Sequence, residues 1–149
     1  MHRLLILSRH AEAYRRLIDA ERLPSLDIVS SEDCDVVLGE PSLVAPAIGR
    51  LTSVSWVQST WAGVEPLLDP ALRRDYVLTN ARGVFGGLMS EYVFGYLLAH
   101  ERMIFRKFAA QQEGRWDATP PGTLKGRQIG LLGVGSIGAA LAKTAKHFG

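Results

Sequence analysis

The last 21 residues, IGLLGVGSIGAALAKTAKHFG from Ile129 to Gly149, constrain this chain more than any other stretch. A short apolar run, Ile129 to Leu132, leads directly into Gly133, Gly135 and Gly138. An apolar-periodic segment follows through Ala139, Ala142, Ala145 and Phe148. The pattern predicts strand, tight turn and helix, with the glycines at G-x-G-x-x-G spacing. The first glycine permits the turn, and the second removes a Cβ where a pyrophosphate would approach. The third lets helix and strand pack closely. The helix start offers unpaired N–H groups to an anion. A dinucleotide half-site also needs a second strand, with a selecting residue about 20 positions after the glycines. That residue is expected beyond Gly149, so the chain reads as the N-terminal piece of a longer protein.

Upstream, short apolar runs alternate with helical or loop segments. Strands are predicted at Leu4–Leu7, Leu26–Val29, Val36–Leu38, Val54–Val57 and Tyr76–Thr79. Hairpin turn signals are missing between them, which favours a parallel sheet. Ala11–Glu21 reads as an amphipathic helix with Ala13, Leu17 and Ala20 on one side and Arg15, Arg16 and Asp19 outward. A short helix is expected over Leu43–Ile48, with Pro46 in its first turn. A long helix is predicted from Gly87 to Gln112, with Tyr92, Tyr96, Ala99, Met103 and Phe108 along a broad apolar side. The predicted fold class is α/β. An open parallel flavodoxin-like sheet domain (residues 1–86) precedes an interdomain helix and connector (87–122), and a Rossmann dinucleotide-binding domain begins at 123–149.

Composition narrows the classes. Apolar residues make up 47% and charged residues 21%, as in compact globular chains, and the small net charge of +2 argues weakly against a nucleic-acid surface. Cys34 stands alone, so there is no internal disulfide, and it reads as a partly buried thiol. No Cys/His cluster suggests a metal. The N-terminal apolar run is too short for a signal peptide, and no stretch is long enough to span a membrane. A cytoplasmic location is the default expectation.

Two loops follow strand ends, where open parallel sheets bind ligands. Gln58 to Gly63 is a turn of mostly small residues whose successive N–H groups suit a carboxylate or phosphate, or which serves as an ordinary loop. Asn80 to Gly83 is the second, and Asn80 is placed to tie the two together. Arg82 reads as a surface charge and Glu91 as a helix-terminus charge. His10 is a rim residue, and His2, His100 and His147 have no carboxylate partner in the sequence. No catalytic triad can be assembled.

Three stretches carry a family resemblance: STWAGVEPLL at Ser59–Leu68, LTNARGVFGGLMSEYVFGYLL at Leu78–Leu98, and LKGRQIGLLGVGSIGAALAKTAKHFG at Leu124–Gly149. In that order they resemble the D-isomer-specific 2-hydroxyacid dehydrogenases, especially the glyoxylate and hydroxypyruvate reductase type. The resemblance implies a substrate domain, then an inserted nucleotide domain, in a homodimer. It implies that the Ala62, Gly63 and Val64 amides hold a substrate carboxylate. Ser136 and Ile137, with Gly133, Gly135 and Gly138, would meet the pyrophosphate, and Met89 would contact the cofactor, NAD or NADP. Family members use an arginine to orient the keto acid and a glutamate-supported histidine to protonate it. These three are expected beyond residue 149, so no catalytic residue is assigned within the chain. Glu65 departs from a frequent aspartate, and Ser136 from a frequent long polar residue. A non-catalytic dinucleotide-sensing or corepressor-like protein is the alternative on the same fold. The 149 residues alone are expected to be inactive, to bind dinucleotide weakly and to self-associate.

Overall fold

The computed structural model describes all 149 residues, Met1–Gly149. It divides into two units, Met1–Ala81 and Arg82–Gly149.

The first unit is a five-stranded sheet of β1 (His2–Leu7), β2 (Leu26–Val29), β3 (Val36–Gly39), β4 (Trp56–Ser59) and β5 (Val77–Thr79). The order is β2-β1-β3-β4-β5 and every pairing is parallel, the open flavodoxin-like arrangement expected from the sequence. The registers Leu5↔Val29, Leu5↔Val37, Val37↔Val57 and Val57↔Leu78 put these residues on one face. That face is the core. Val37, Val44, Ile48 and Val57 are 0% exposed, and Leu51, Val54, Leu67 and Cys34 pack with them. Cys34 is thus buried, and burial pushes its thiol pKa up, which keeps it a packing residue.

Helix α1 (Ala11–Ala20) covers part of the sheet with a different side from the one predicted. Ala13, Leu17 and Ala20 are exposed, whereas Ala11, Tyr14, Arg15 and Ile18 are half-buried. Tyr14 and Ile18, one turn apart, offer more apolar area than the alanines and win the contact. Helix α2 (Pro41–Val44) also starts earlier than expected. Pro41, not Pro46, occupies the first turn, and Glu40 before it is extended (ψ 131°). A residue preceding proline is driven out of the helical region, which sets that boundary. β4 lies two residues later than predicted, Trp56–Ser59, because its register with Val36–Gly39 fixes it.

The second unit holds α3 (Gly86–Glu101), α4 (Ile104–Gln112) and α5 (Ser136–His147). The predicted single long helix is broken at Met103, which sits in the left-handed region at φ 54°. The Glu101 carbonyl accepts from Gly122 N at 2.8 Å, and Arg102 Nη1 donates to the Gly122 carbonyl at 3.1 Å. The crossing segment takes an acceptor that a continuous helix would need. The apolar side also differs. Ser90, Phe94 and Ala99 are buried, while Tyr92 and Tyr96 are 61% and 58% exposed. Phe94 stacks on Phe148 at 5.2 Å between centroids, joining α3 to α5. Ile129–Leu132, predicted as a strand, forms none. A strand needs a ladder partner, and the unit contains no other strand. No helix is long and apolar enough to cross a membrane.

Candidate functional site

The carboxyl ends of β3, β4 and β5 build the first candidate site. Thr60 N donates to the Gly39 carbonyl at 3.0 Å, carrying the chain past the end of β3. The next residues are held from several sides. Ser59, 1% exposed, accepts through Oγ from Trp61 N at 3.0 Å and donates to the Trp61 carbonyl at 2.9 Å. Ala81 N donates to the same carbonyl at 3.1 Å, and Asn80 Nδ2 donates to the Ala62 carbonyl at 2.6 Å. Asn80 therefore ties the two loops. Gln58 and Thr79 reinforce the tie, with Thr79 Oγ1 donating to Gln58 Oε1 at 2.5 Å.

Ala62, Gly63 and Val64 follow one another in this turn, before the 3₁₀ turn Glu65–Leu68. None of their amides takes an acceptor within the chain. The Glu65 carboxylate folds back: a Cβ added at Gly63 would lie 2.7 Å from Glu65 Oε2. Trp61 is 54% exposed beside the turn. Such a row of free amides at strand ends can hold an oxyanion.

At the end of β1 and β3, where strand order reverses, Glu40 is almost fully buried. Its Oε1 accepts from Arg9 N at 2.7 Å and Ser8 Oγ at 2.9 Å. The Arg9 amide and then the Ser8 hydroxyl hold its pKa below the usual carboxylate range against the cost of burial. This residue was missed in the sequence. A glutamate before a proline carried no signal of burial. His10, the expected rim residue, precedes α1 and is exposed.

The second candidate site lies in the other unit. Gly133 has φ +89°, which an L side chain rarely adopts. Gly135 precedes α5, and the first intrahelical bond runs from Ala139 N to the Gly135 carbonyl at 2.9 Å. The Ser136, Ile137 and Gly138 amides lie before that bond and are the helix's open donors. A Cβ on Gly138 would stand 2.4 Å from the Gly133 carbonyl oxygen, so only glycine closes this turn. Gly86 of α3 also approaches α5 closely, since an added Cβ would meet Ala140 Cβ at 2.9 Å. Met89 lies one turn further along α3, 38% exposed. Arg82, Glu91 and His100 are all exposed. Glu91 lies beyond the first turn of α3, correcting its reading as a helix-terminus charge. No group of three or more His, Cys, Asp or Glu side chains is placed to hold a metal.

Residues 94–149 match the D-isomer specific 2-hydroxyacid dehydrogenase, NAD binding domain. The chain matches the D-isomer-specific 2-hydroxyacid dehydrogenase family. It is 42% identical to a family protein from Aeromonas salmonicida of known crystal structure, with a TM-score of 0.91 over 99% of this chain and 51% of that one. It is 35% identical over 91 residues to the glyoxylate reductase of Thermococcus litoralis, covering 55% of this chain and 28% of that protein. It is 28% identical over 137 residues to the glyoxylate/hydroxypyruvate reductase HPR3 of Arabidopsis thaliana, covering 87% of this chain and 42% of that protein. The chain thus spans about half or less of the length of these relatives. The parallel sheet with flanking helices matches the dehydrogenase fold, and the signature of an NAD-binding domain is present.

Proposed function

We propose that this chain supplies the substrate-carboxylate loop and the pyrophosphate turn of an NAD(P)H-dependent reductase of small 2-ketoacids. Glyoxylate and hydroxypyruvate are the proposed substrates, and the product is the D-2-hydroxyacid. The observation that carries this reading is the pair of donor rows. Ala62, Gly63 and Val64 offer open amides at the sheet's carboxyl edge, and Ser136, Ile137 and Gly138 offer them at the start of α5. The first row suits a carboxylate and the second a pyrophosphate.

The glycine turn fits a dinucleotide. Gly135 carries no Cβ at the start of α5, where a phosphate would approach, and Gly138 lets the helix close against the Gly133 carbonyl. When bound, the nicotinamide supplies the hydride. The chain's own part is binding and orientation, which lower the barrier by placing the reactants. Gly133, Gly135, Ser136, Ile137 and Gly138 hold the pyrophosphate, and Met89 packs against the cofactor. NAD and NADP are both kept open. Residues 1–86 are proposed as the substrate domain, 87–122 as helix and connector, and 123–149 as the start of the nucleotide domain. The polarising arginine and the proton-donating histidine are proposed to lie outside these residues. The complete protein is proposed as a cytoplasmic homodimer with no nucleic-acid or membrane partner.

The test is steady-state reduction of glyoxylate, hydroxypyruvate and related 2-ketoacids by the complete gene product with each nicotinamide cofactor. Turnover of at least one is expected. No oxidation of NADH or NADPH across the panel overturns the enzyme reading and favours a dinucleotide sensor. The 149-residue chain alone is expected to be inactive and to self-associate through the exposed Tyr92 and Tyr96 side of α3.

A further inference from the structure

We infer that Asn80 and Ser59 are positioning residues that aim the Gly63 and Ala62 amides at the substrate carboxylate by fastening the two carbonyls behind them. The inference rests on the carboxylate reading of this loop and adds what holds the loop in its binding form. A trans peptide is planar, so its N–H points opposite to its C=O. The chain has no cis peptide bond. Fixing the Trp61 carbonyl therefore fixes the Ala62 N–H, and fixing the Ala62 carbonyl fixes the Gly63 N–H.

Both carbonyls are fixed. The Trp61 carbonyl accepts from Ser59 Oγ at 2.9 Å and from Ala81 N at 3.1 Å. The Ala62 carbonyl accepts from Asn80 Nδ2 at 2.6 Å. Each N–H is thereby turned away from the protein donors that hold its own peptide plane. Two successive amides pointing outward form the concave donor pair that an oxyanion needs. The anchors belong to rigid elements: Ser59 ends β4, and Asn80 directly follows β5. Ser59 is 1% exposed, so its hydroxyl bonds are shielded from water. Neither side chain needs to touch the substrate. Without Asn80, the Ala62–Gly63 plane is free to rotate and the donor pair must be ordered each time an anion binds.

Asn80→Leu keeps the approximate shape of the side chain and removes the donor without adding charge. The experiment is an amide NMR titration of the complete gene product with glyoxylate. In the wild type, the Ala62 and Gly63 amides are expected to shift. In Asn80→Leu the Kd for glyoxylate is expected to rise about tenfold, as for loss of one ordering hydrogen bond, with the β1–β4 amides unchanged. In the complete enzyme the same change should raise KM for 2-ketoacids and leave kcat close to wild type, the signature of lost uniform binding. Asn80→Ala is the second variant, with the same expectation should the leucine disturb folding. A Kd within twofold of wild type in the folded variant overturns the positioning role while leaving the carboxylate site standing. Absence of any shift at Ala62 and Gly63 in the wild type overturns the carboxylate assignment, and the inference with it.

Discussion

The two units differ in how they bury their apolar residues. In Met1–Ala81 the strands pair on both sides of β1, β3 and β4, and Val37, Val44, Ile48 and Val57 are completely enclosed. In Arg82–Gly149 the residues buried as a whole are Ser90, Phe94, Ala99 and Ala110. Leu132 and Trp116 stand almost wholly in solvent there, and α5 has no fully buried residue. The lesson concerns cooperativity. A sheet whose strands and covering turns close on one core gains from every added neighbour. A set of helices touching through Phe94 and Phe148 does not.

The largest effect expected from this contrast is in the first unit. Ile48→Ala should cost about 3 kcal/mol, since it removes a fully enclosed side chain and leaves a cavity. Leu132→Ala in the second unit should change stability by less than about 0.5 kcal/mol, as for a surface position. Denaturant unfolding of both variants measures the difference. Equal effects would mean that Leu132 is covered in solution and that the contrast between the units is wrong. Hydrogen exchange sharpens the same point: amides of β1, β3 and β4 should be the slowest, and those of 128–134 close to unprotected.

The next effect separates positions within the second unit. Gly138→Ala places a Cβ 2.4 Å from the Gly133 carbonyl, a clash with backbone that cannot be relieved by a rotamer. It should destabilise the turn and α5 by about 1–3 kcal/mol. Gly135→Ala meets nothing within 4 Å and sits at φ −76°, so its cost should stay within about 1 kcal/mol. Helicity of α5 followed by amide chemical shifts compares the two. A tolerated Gly138→Ala would remove the steric reason for the third glycine of the motif.

Much of the first unit was legible because alternating apolar runs and turn residues act locally. Leu26–Val29 was found to the residue, and the parallel pairing followed from missing hairpin signals. The glycine turn was legible for the same reason, since φ and close approach are properties of a few adjacent residues. What failed depended on distant partners. The break at Met103 has no glycine or proline to announce it. It arises where Gly122 captures the Glu101 carbonyl. The Ile129–Leu132 run has strand-like composition, but composition does not supply a pairing partner. The buried state of Glu40 depends on Arg9 and Ser8, some 30 positions earlier in the chain. The anchoring of the donor loop by Asn80 was suggested by its place after a strand. The direction of the amides became visible only with the hydrogen bonds.

The most localised effect is on acid titration. Asp117 carries a side chain only 5% exposed and lies against α4. The Thr119 hydroxyl and then its amide, bonded to Asp117 Oδ1 at 3.0 Å, hold its pKa down to about 2, with help from the Arg106 and Lys107 charges. Arg106 Nε stands 2.8 Å from Oδ2, and Lys107 Nζ donates to the Asp117 and Thr119 carbonyls at 2.8 and 2.9 Å. The folded pKa is below the unfolded one, so the stabilisation is fully present above the unfolded carboxylate value. It is lost as pH falls through the folded value. The attachment of α4 to residues 117–119 should therefore survive at pH 3, where an ordinary aspartate is largely protonated, and loosen near pH 2. Asp117→Asn keeps an acceptor for the Thr119 amide and removes the charge. Its Thr119 and Lys107 amide signals should lose the acid step, while those of β1 and β3 titrate as in wild type. A wild-type acid step at the Thr119 amide near pH 4 would show that the network does not hold Asp117 ionised, and that its charge is not what fastens α4.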